Sequence, residues 1–343
     1  MPTPVPDREA SGIREKVRFL RHPGAYARLE GAAPAAVHAV ETHMAWVFLT
    51  DRFAWKLKKP VRYPFLDFGT LEARHRDCLD EVALNARLAP GVYLGVVPLA
   101  RSTDGRLALG GAGPVVDWLV RMRRLPADRF LAERLRRGAG LEPEELEHLA
   151  GLMAGFYREA APAGLSGEAY RARLGARIVD DLDTLALHDH DAEAAQEVGM
   201  ALIACLDRSP AVFDARAERV VEGHGDLRPE HIWLGTPPAV IDCLEFNQDF
   251  RVLDPAEELA FLAMECELAG APAVGEAIAR AVLARLGDQP PARLVSFYKA
   301  ARALLRAKLA FCHVWDVERD DHERWRARGR DFLRLARLHA AAA

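Results

Sequence analysis

No stretch of this sequence approaches the roughly 20 consecutive apolar residues that a membrane-spanning helix needs. The N-terminal segment, MPTPVPDREASGIREKV, is too polar and too rich in proline for a secretory signal. The sequence therefore predicts a soluble, cytoplasmic protein without a membrane partner. It also predicts a frayed N-terminus over residues 1–20.

Cysteine is scarce and is never clustered. The five cysteines stand singly, without a C-x-x-C motif, and four of them lie among apolar neighbours. This distribution is typical of small core residues in a reducing compartment, and it indicates neither a disulfide framework nor a zinc site.

An excess of positive charge is also missing. Lysine and arginine together number 46 against 50 acidic residues, which gives a formal net charge of -4. Because nucleic-acid-binding domains usually carry a basic surface, this balance gives no support for a nucleic-acid partner. It favours a small-molecule or protein substrate. With 343 residues, half of them hydrophobic, the chain can form one large domain or two lobes.

The hydrophobic periodicity changes once along the chain. Before residue 124 the pattern is mostly that of short strands, at 38–43, 45–50, 53–58, 93–100, 106–109 and 115–121. A helix over about 70–88 separates the third strand from the fourth. Beyond Arg124 the pattern is helical, with stripes near 146–156, 168–187, 191–207, 256–268, 271–286, 292–315 and 321–340.

This change predicts an α+β fold with two lobes. Residues 1–123 form a β-rich N-terminal lobe with one inserted helix, and residues 124–343 form a helical lobe. Only the segment 220–246 interrupts the helical pattern with strands, and we expect the catalytic loop there, at 222–246.

Two carboxylates stand out in that segment. The short β-rich runs 231–234 and 239–243 are joined by turn residues 235–238, which is typical of a hairpin. The hairpin would bring Asp226 and Asp242 to one side. Two carboxylates that face one cavity repel each other unless a cation or a shared proton lies between them, so the arrangement indicates a metal or a general base.

The spacing of the loop narrows this choice. Protein kinases carry a catalytic loop H-R-D-L-x-x-x-N, followed by a metal-binding D-F-G. Residues 224–231 read HGDLRPEH, which has that frame with His231 in the place of the asparagine. The glycine after the first histidine, and Asp242 without a D-F-G, resemble the aminoglycoside phosphotransferase branch of the kinase-like fold.

A fold of this kind needs a strand lysine for the nucleotide phosphates and a helix glutamate to hold that lysine. Lys56 alternates with apolar neighbours in the third strand and is the predicted lysine. Lys58 is the alternative, because side chains two residues apart on a strand share a face. Glu81, well inside the predicted helix, is the expected partner, with Asp80 beside it.

Further runs sharpen the resemblance. The segments 55–61 (WKLKKPV), 65–72 (FLDFGTLE), 84–90 (LNARLAP) and 92–98 (VYLGVVP) resemble a bacterial family of uncharacterised aminoglycoside-phosphotransferase-like proteins. The likeness continues through 224–267 and covers roughly positions 36–315. Some members of that family carry a fused C-terminal P-loop ATPase. This chain has no G-x-x-x-x-G-K-[ST] motif, so a Walker-type site is absent from it.

The resemblance implies a role for each residue of the loop. Asp226 would be the base or the orienting group for a substrate hydroxyl, and Arg228 would neutralise charge on the transferred phosphoryl group. Asp242 would bridge Mg²⁺ to the nucleotide phosphates, with Glu245 as a supporting ligand. A neutral imidazole suits Mg²⁺ poorly, so His231 implies weak binding of a second metal or a preference for Mn²⁺.

The same resemblance implies how a nucleotide would be held. The base of ATP or GTP would lie against a linker at 118–122, read by the backbone of Leu119, Val120 and Met122. Asp254 would anchor the catalytic loop by hydrogen bonds. A glycine-rich phosphate loop is missing, since the first hairpin turn reads ETHMA over 41–45. The resemblance implies that a loop without glycine is tolerated.

Three functions follow from these residues. The first is an ATP- or GTP-dependent phosphotransferase acting on a hydroxyl of an unidentified small molecule. The second is a nucleotide-binding, pseudokinase-like regulator. The third is a metal-dependent hydrolase built on His224, Asp226, His231 and Asp242, which would have no use for Lys56 and Glu81. The basic stripe of Arg302, Arg306 and Lys308 is expected to be a solvated helix face.

Overall fold

The structure is a computed structural model, which describes residues 7–63, 65–187, 191–314 and 321–343. The chain forms two compact units. The first unit runs to Ala127 and also takes in Ala239–Gln248. The second unit consists of Asp128–Pro238 and Asp249–Ala343. Residues 239–246, which the sequence assigned to the helical lobe, thus group with the first unit.

Strands predominate in the first unit and helices predominate in the second. The described helices are α1 (Asp7–Leu20), α2 (Ala27–Glu30), α3 (Leu71–Asn85), α4 (Leu131–Arg136), α5 (Pro143–Glu159), α6 (Gly167–Leu185), α7 (Ala192–Arg208), α8 (Pro210–Asp214), α9 (Pro255–Leu268), α10 (Pro272–Arg285), α11 (Ala292–His313) and α12 (His322–Ala340). The described strands are β1 (His38–Glu41), β2 (Ala45–Leu49), β3 (Phe53–Lys58), β4 (Arg62–Tyr63), β5 (Leu66–Asp67), β6 (Tyr93–Arg101), β7 (Leu107–Leu109), β8 (Val115–Arg123), β9 (Val221–Glu222), β10 (Ile232–Trp233), β11 (Ala239–Val240) and β12 (Val252–Leu253).

The first unit is built on a six-stranded antiparallel sheet. Its strand order is β1-β2-β3-β8-β6-β7, so β3 and β8 are central. The predicted strands lie within two residues of these bounds, because alternation of apolar and polar residues marks half-buried strands clearly. The α+β fold predicted from the sequence is confirmed.

Helix α1 corrects the expectation of a frayed N-terminus. Ile13, Val17 and Leu20 recur on one helical face and pack against the core of the first unit, where Leu20 is fully buried. The Tyr26 hydroxyl donates to the Leu20 carbonyl oxygen at 2.5 Å. The prediction was wrong for Asp7–Leu20, and its first six residues lie outside the described part of the chain.

Helix α3 carries an unusual buried face. The Thr70 hydroxyl caps its N-terminus by accepting from the Ala73 N–H at 3.1 Å. The buried positions of the helix are mostly polar, namely Arg74, Asp77, Cys78, Glu81 and Asn85. Buried polar side chains need partners, so this face has to meet ionic or hydrogen-bonding groups of the first unit.

The second unit is helical, and α9 lies at its centre. Every residue of α9 from Pro255 to Cys266 is buried, as expected for a helix surrounded on all sides. The core around it is apolar and includes residues of α6, α7, α11 and α12. None of the described helices is both long and apolar enough to cross a membrane.

The basic stripe on α11 corrects another expectation. Arg302 is buried and pairs with Glu257 at 2.7 Å, and Arg306 pairs with Glu265 at 2.8 Å. Lys308 pairs with Asp181 at 2.5 Å. These side chains are not a solvated face, because α9 and α6 supply buried carboxylates opposite them. The predicted end of this helical stripe, residue 315, lies outside the described residues.

A buried ion-pair network joins three parts of the second unit. The Arg216 guanidinium donates to both carboxylate oxygens of Asp254, at 2.6 and 2.7 Å, and to both oxygens of Asp288, at 2.8 and 2.6 Å. Asp254 also caps α9 by accepting from the Ala256 N–H at 2.9 Å. One arginine therefore holds the start of α9.

Removal of this arginine should be strongly destabilising. We expect Arg216→Met to lower the free energy of unfolding by about 3–5 kcal/mol, because two buried carboxylates would lose their cation. Arg219→Met is the matched control, since the Arg219 side chain is 44% exposed and its ion pair with Asp288 is long, at 3.6 Å; it should cost no more than about 1 kcal/mol. Urea unfolding followed by circular dichroism measures both, and equal losses would contradict this account.

Candidate active site

Lys56 lies between two carboxylates in the first unit. Its ammonium donates to Glu81 Oε1 at 2.9 Å and to Asp242 Oδ1 at 3.0 Å. Burial disfavours the charge, but Asp242, Glu81 and Glu245 together raise the pKa of Lys56 well above its usual value. The group is therefore a permanent cation. The structure thus brings together three residues that the sequence analysis had selected.

Lys58 forms a second cluster on the same face of β3. Its ammonium pairs with Glu81 Oε2 at 2.7 Å and also contacts the carboxylates of Asp77 and Glu245. The two lysines thus share Glu81, one at each of its oxygens. The sequence analysis offered Lys58 only as an alternative to Lys56, whereas in the structure both lysines pair with Glu81.

Charge and burial compete within this cluster. Burial raises the pKa of Asp77 to about 7, although the nearby Lys58 lowers it. Burial also raises the pKa of Glu245, but Lys58 and Lys56 outweigh it and hold that pKa below its usual value. Glu245 is thus a carboxylate at neutral pH, with Lys58 as its cation.

The backbone around Asp242 is held in an uncommon conformation. Asp242 has a φ of 61°, in the left-handed region that aspartate tolerates better than most residues. Its N–H donates to the Tyr93 hydroxyl at 3.1 Å, and the next N–H, of Cys243, donates to Asn85 Oδ1 at 2.9 Å. These bonds fix the segment to β6 and α3. The Asp242 side chain remains 46% exposed.

Asp226 lies in a compact hydrogen-bonded loop of the second unit. Arg228 Nε lies 3.0 Å from Asp226 Oδ1 and 3.1 Å from Oδ2. The Nδ1 atom of His231 lies 2.8 Å from the Asp226 carbonyl oxygen, and its Nε2 lies 3.1 Å from Arg228 Nη2. A carbonyl only accepts, so Nδ1 carries the proton and Nε2 accepts from the guanidinium.

The charges around Asp226 keep it ionised. Burial opposes ionisation, but the guanidinium of Arg228, with further effects of neighbouring basic side chains, lowers the pKa of Asp226 to about 2. Its side chain is 28% exposed, so the carboxylate is accessible. It is a hydrogen-bond acceptor throughout the physiological pH range.

Glu258 holds the start of this loop, which the sequence analysis missed. Its carboxylate accepts from the His224 N–H at 3.0 Å and the Gly225 N–H at 2.5 Å, and also from the Tyr157 hydroxyl at 2.7 Å. The expectation that Asp254 anchors the loop was wrong, because Asp254 is engaged by Arg216. Glu258 lies one turn further along the same helix, and that i, i+4 spacing was the available signal.

The segment predicted to be a linker that reads the nucleotide base is instead part of a strand. Leu119, Val120 and Met122 lie within β8, and both Leu119 and Val120 pair with β3 on one side and β6 on the other. Their backbone groups form the sheet ladder and cannot read a base. The strand continues to Arg123, so an interdomain connection starts only with Arg124-Leu125-Pro126.

The predicted metal ligands differ in how well they fit a cation. The Asp242 carboxylate is half exposed, and a cation could bind to it by replacing its contact with the Lys56 ammonium. Glu245 is engaged by Lys58, and the lone pair of His231 faces Arg228. Within the described residues, no group of three or more His, Cys, Asp or Glu side chains could hold a metal ion. Of the three, Asp242 is the residue that fits.

Two curated relatives have similar sequences. The chain is 35% identical over 279 residues to "Uncharacterized protein Rv2004c" of Mycobacterium tuberculosis and to "Uncharacterized protein Mb2027c" of Mycobacterium bovis. Each match covers 78% of this chain and 53% of the relative, so the chain spans about half the length of these proteins. No family model matches the chain.

Solved structures establish the fold. The GDP complex of aminoglycoside 2'-phosphotransferase-IIIa aligns with a TM-score of 0.57 at 16% identity, over 95% of this chain and 98% of that one. A choline/ethanolamine kinase family protein from Mesorhizobium loti aligns with a TM-score of 0.53 at 17% identity, over 97% and 98%. The chain has the kinase-like fold of small-molecule phosphotransferases, as predicted.

The depressed pKa of Asp226 has a measurable effect on stability. In the folded protein this pKa falls from 3.8 to about 2, so its contribution is complete at neutral pH and is lost as the pH falls through about 2. We expect Asp226→Asn to lower the free energy of unfolding by about 2 kcal/mol at pH 7 and by about half of that at pH 3. Urea titrations at the two pH values test this; equal losses would be the opposing result.

Proposed function

We propose that the chain is an ATP- or GTP-dependent phosphotransferase that transfers a phosphoryl group to a hydroxyl of a small molecule. The observation that carries the proposal is the position of Lys56, an ammonium shared by a helix glutamate and an exposed aspartate. This is the arrangement that the kinase-like fold uses to hold nucleotide phosphates. A hydrolase would have no use for it.

Lys56 would bind the phosphate oxygens. Glu81 is fully buried and holds the ammonium in place, while Asp242 is half exposed and can be exchanged for a phosphate. Asp242 would then be the ligand for a divalent cation such as Mg²⁺. When bound, that cation would neutralise charge on the nucleotide phosphates.

Asp226 would orient the hydroxyl of the acceptor. A carboxylate with a pKa of about 2 is a weak base, so we do not expect it to remove the proton before transfer begins. Phosphoryl transfer passes through a loose transition state in which positioning matters more than early deprotonation. Asp226 would accept the hydroxyl hydrogen bond first and the proton late.

Arg228 and His231 would keep Asp226 in place. Arg228 fixes the carboxylate, and its fixed positive charge would neutralise charge that develops on the phosphoryl oxygens. His231, bonded to both Asp226 and Arg228, would be a positioning residue and no longer a metal ligand. This assignment gives a role to His231, which stands where the kinase loop has asparagine.

The nucleotide base would be read just after β8. Leu125 makes no backbone hydrogen bond with any other described residue, although the flanking Arg124 N–H donates to the Arg52 carbonyl oxygen at 2.9 Å. An N–H and a carbonyl oxygen without partners on a fixed backbone match the donor and acceptor edge of a purine. We propose Leu125 in place of Leu119, Val120 and Met122.

The acceptor is proposed only as a hydroxyl compound. The structural neighbours are, by their descriptions, an aminoglycoside phosphotransferase and a choline/ethanolamine kinase family protein, and identities of 16% and 17% show the fold alone. The two mycobacterial relatives are uncharacterised.

A nucleotide-binding regulator is the second candidate. The turn between β1 and β2 contains no glycine and is closed by Thr42, whose N–H donates to the Ala45 carbonyl oxygen at 2.8 Å and whose hydroxyl accepts from the Ala45 N–H at 3.1 Å. A closed turn of this kind offers fewer backbone donors to phosphates than a glycine-rich loop. Weak nucleotide binding without turnover would follow.

Phosphoryl transfer to metabolites tests the proposal. We expect the purified chain to transfer ³²P from γ-labelled ATP or GTP to a compound in a metabolite extract, with Mg²⁺ or Mn²⁺ present. Asp226→Ala should reduce the rate by about 10²–10⁴-fold, because the acceptor hydroxyl loses its orienting group. Asp207→Ala, at an exposed position of α7, is the matched control and should leave the rate unchanged.

Two results would contradict the proposal. Transfer that survives in the Asp226→Ala variant would remove Asp226 from the mechanism. Nucleotide binding without transfer to any compound, under either metal, would favour the regulator.

A further inference from the structure

The first unit contains more buried charge than nucleotide binding requires. Four carboxylates, those of Asp77, Glu81, Asp242 and Glu245, surround two ammonium groups. Phosphate binding by the lysine and glutamate of a kinase-like fold accounts for Lys56 and Glu81 alone. The function proposed above gives Lys58 no role.

The two lysines differ in how accessible they are to a ligand from solution. The Lys56 side chain is 15% exposed, and it contacts an aspartate that is 46% exposed. The Lys58 side chain is 1% exposed, and its three carboxylate partners are all at least nine-tenths buried. Lys56 can therefore exchange a partner for a ligand from solution. Lys58 cannot do so without opening the cluster.

We propose that Lys58 is a fixed internal cation that takes the place of a second metal ion beside Glu245. In this arrangement Asp242 is the carboxylate of the cluster that binds a divalent cation. Lys58 also keeps Glu81 oriented when Lys56 turns to a nucleotide, and this last part rests on the function proposed above.

The contacts of Glu245 support this role. Glu245 lies three residues after Asp242, a position from which it could join Asp242 in holding a cation. Its carboxylate instead contacts Lys58 Nζ. A metal ion bound by an oxygen ligand lies about 2 Å from it, so an ion on Glu245 would be within a few ångströms of the ammonium and would be repelled.

The ion pairs of Glu81 support the second part of the proposal, that Lys58 keeps Glu81 oriented when Lys56 turns to a nucleotide. Its Oε1 atom accepts from Lys56 and its Oε2 atom pairs with Lys58, so each lysine has its own oxygen. If Lys56 shifts towards phosphate, Glu81 still has a cation and does not become an unpaired buried charge. Such a charge would be costly, and it would move α3.

Binding of Mn²⁺ to the nucleotide-free chain tests the proposal directly. Electron paramagnetic resonance counts bound and free Mn²⁺ in the wild type, in Lys58→Met and in the double variant Lys58→Met with Glu245→Gln. We expect Lys58→Met to bind Mn²⁺ at least about tenfold more tightly than the wild type, since Glu245 then lacks a cation. The double variant should lose this gain. A folded Lys58→Met variant without the gain would overturn the proposal.

A second measurement applies if Lys58→Met does not fold. In EDTA, a carboxylate that serves only as a metal ligand repels its neighbours, and its removal would leave the melting temperature unchanged or raise it. A carboxylate paired with Lys58 stabilises the fold, so we expect Glu245→Gln to lower the melting temperature by about 3 °C or more. An unchanged or raised value would overturn the proposal. Glu41→Gln, which loses an exposed pair with Lys59, is the matched control and should shift it little.

These measurements do not depend on turnover. A wild-type protein that transfers no phosphoryl group would refute the proposed function, while the Mn²⁺ titrations and the melting temperatures in EDTA would still decide the role of Lys58.

Discussion

The shared ion pairs of Glu81 are the interaction on which the first unit depends. A fully buried glutamate needs partners that offset its loss of hydration, and here each of its two oxygens has a cation at close range. The central strand β3 supplies both lysines because residues two apart share a face, and α3 supplies the glutamate from its polar buried side. The sheet, the helix and the segment carrying Asp242 are thereby fixed to one another by charge.

In the second unit, the corresponding interactions hold an ionised aspartate, Asp226, on a loop. Glu258 accepts two consecutive backbone N–H groups at the start of the loop, and Arg228 and His231 bond to Asp226 itself. None of these contacts needs a ligand. The loop is therefore pre-organised, which suits a reaction that relies on positioning and on charge.

Much of the fold could be predicted because its signals are local. Alternation marked the six strands, and helical periodicity marked the long helices within a few residues. The frame of the loop likewise singled out Asp226 and Asp242. Their catalytic roles remain proposals.

Features that depend on contacts between distant segments could not be predicted from the sequence. Periodicity cannot tell which of two lysines on one strand face becomes buried, so the cluster around Lys58 went unseen. Arg302 and Arg306 have the spacing of a solvated stripe, and only the acidic residues of α9 make them interior. The strand β8 runs two residues further than its alternation suggested, which displaced the nucleotide linker.

The central claim is that the ammonium of Lys56 receives the phosphates of a nucleotide, and calorimetric titration tests it most directly. The account predicts that Lys56→Met weakens binding of ATP or GTP with Mg²⁺ by at least about tenfold and leaves binding of the nucleoside unchanged. A Lys56→Met variant that binds the triphosphate as tightly as the wild type, or loses nucleoside and triphosphate equally, would contradict it.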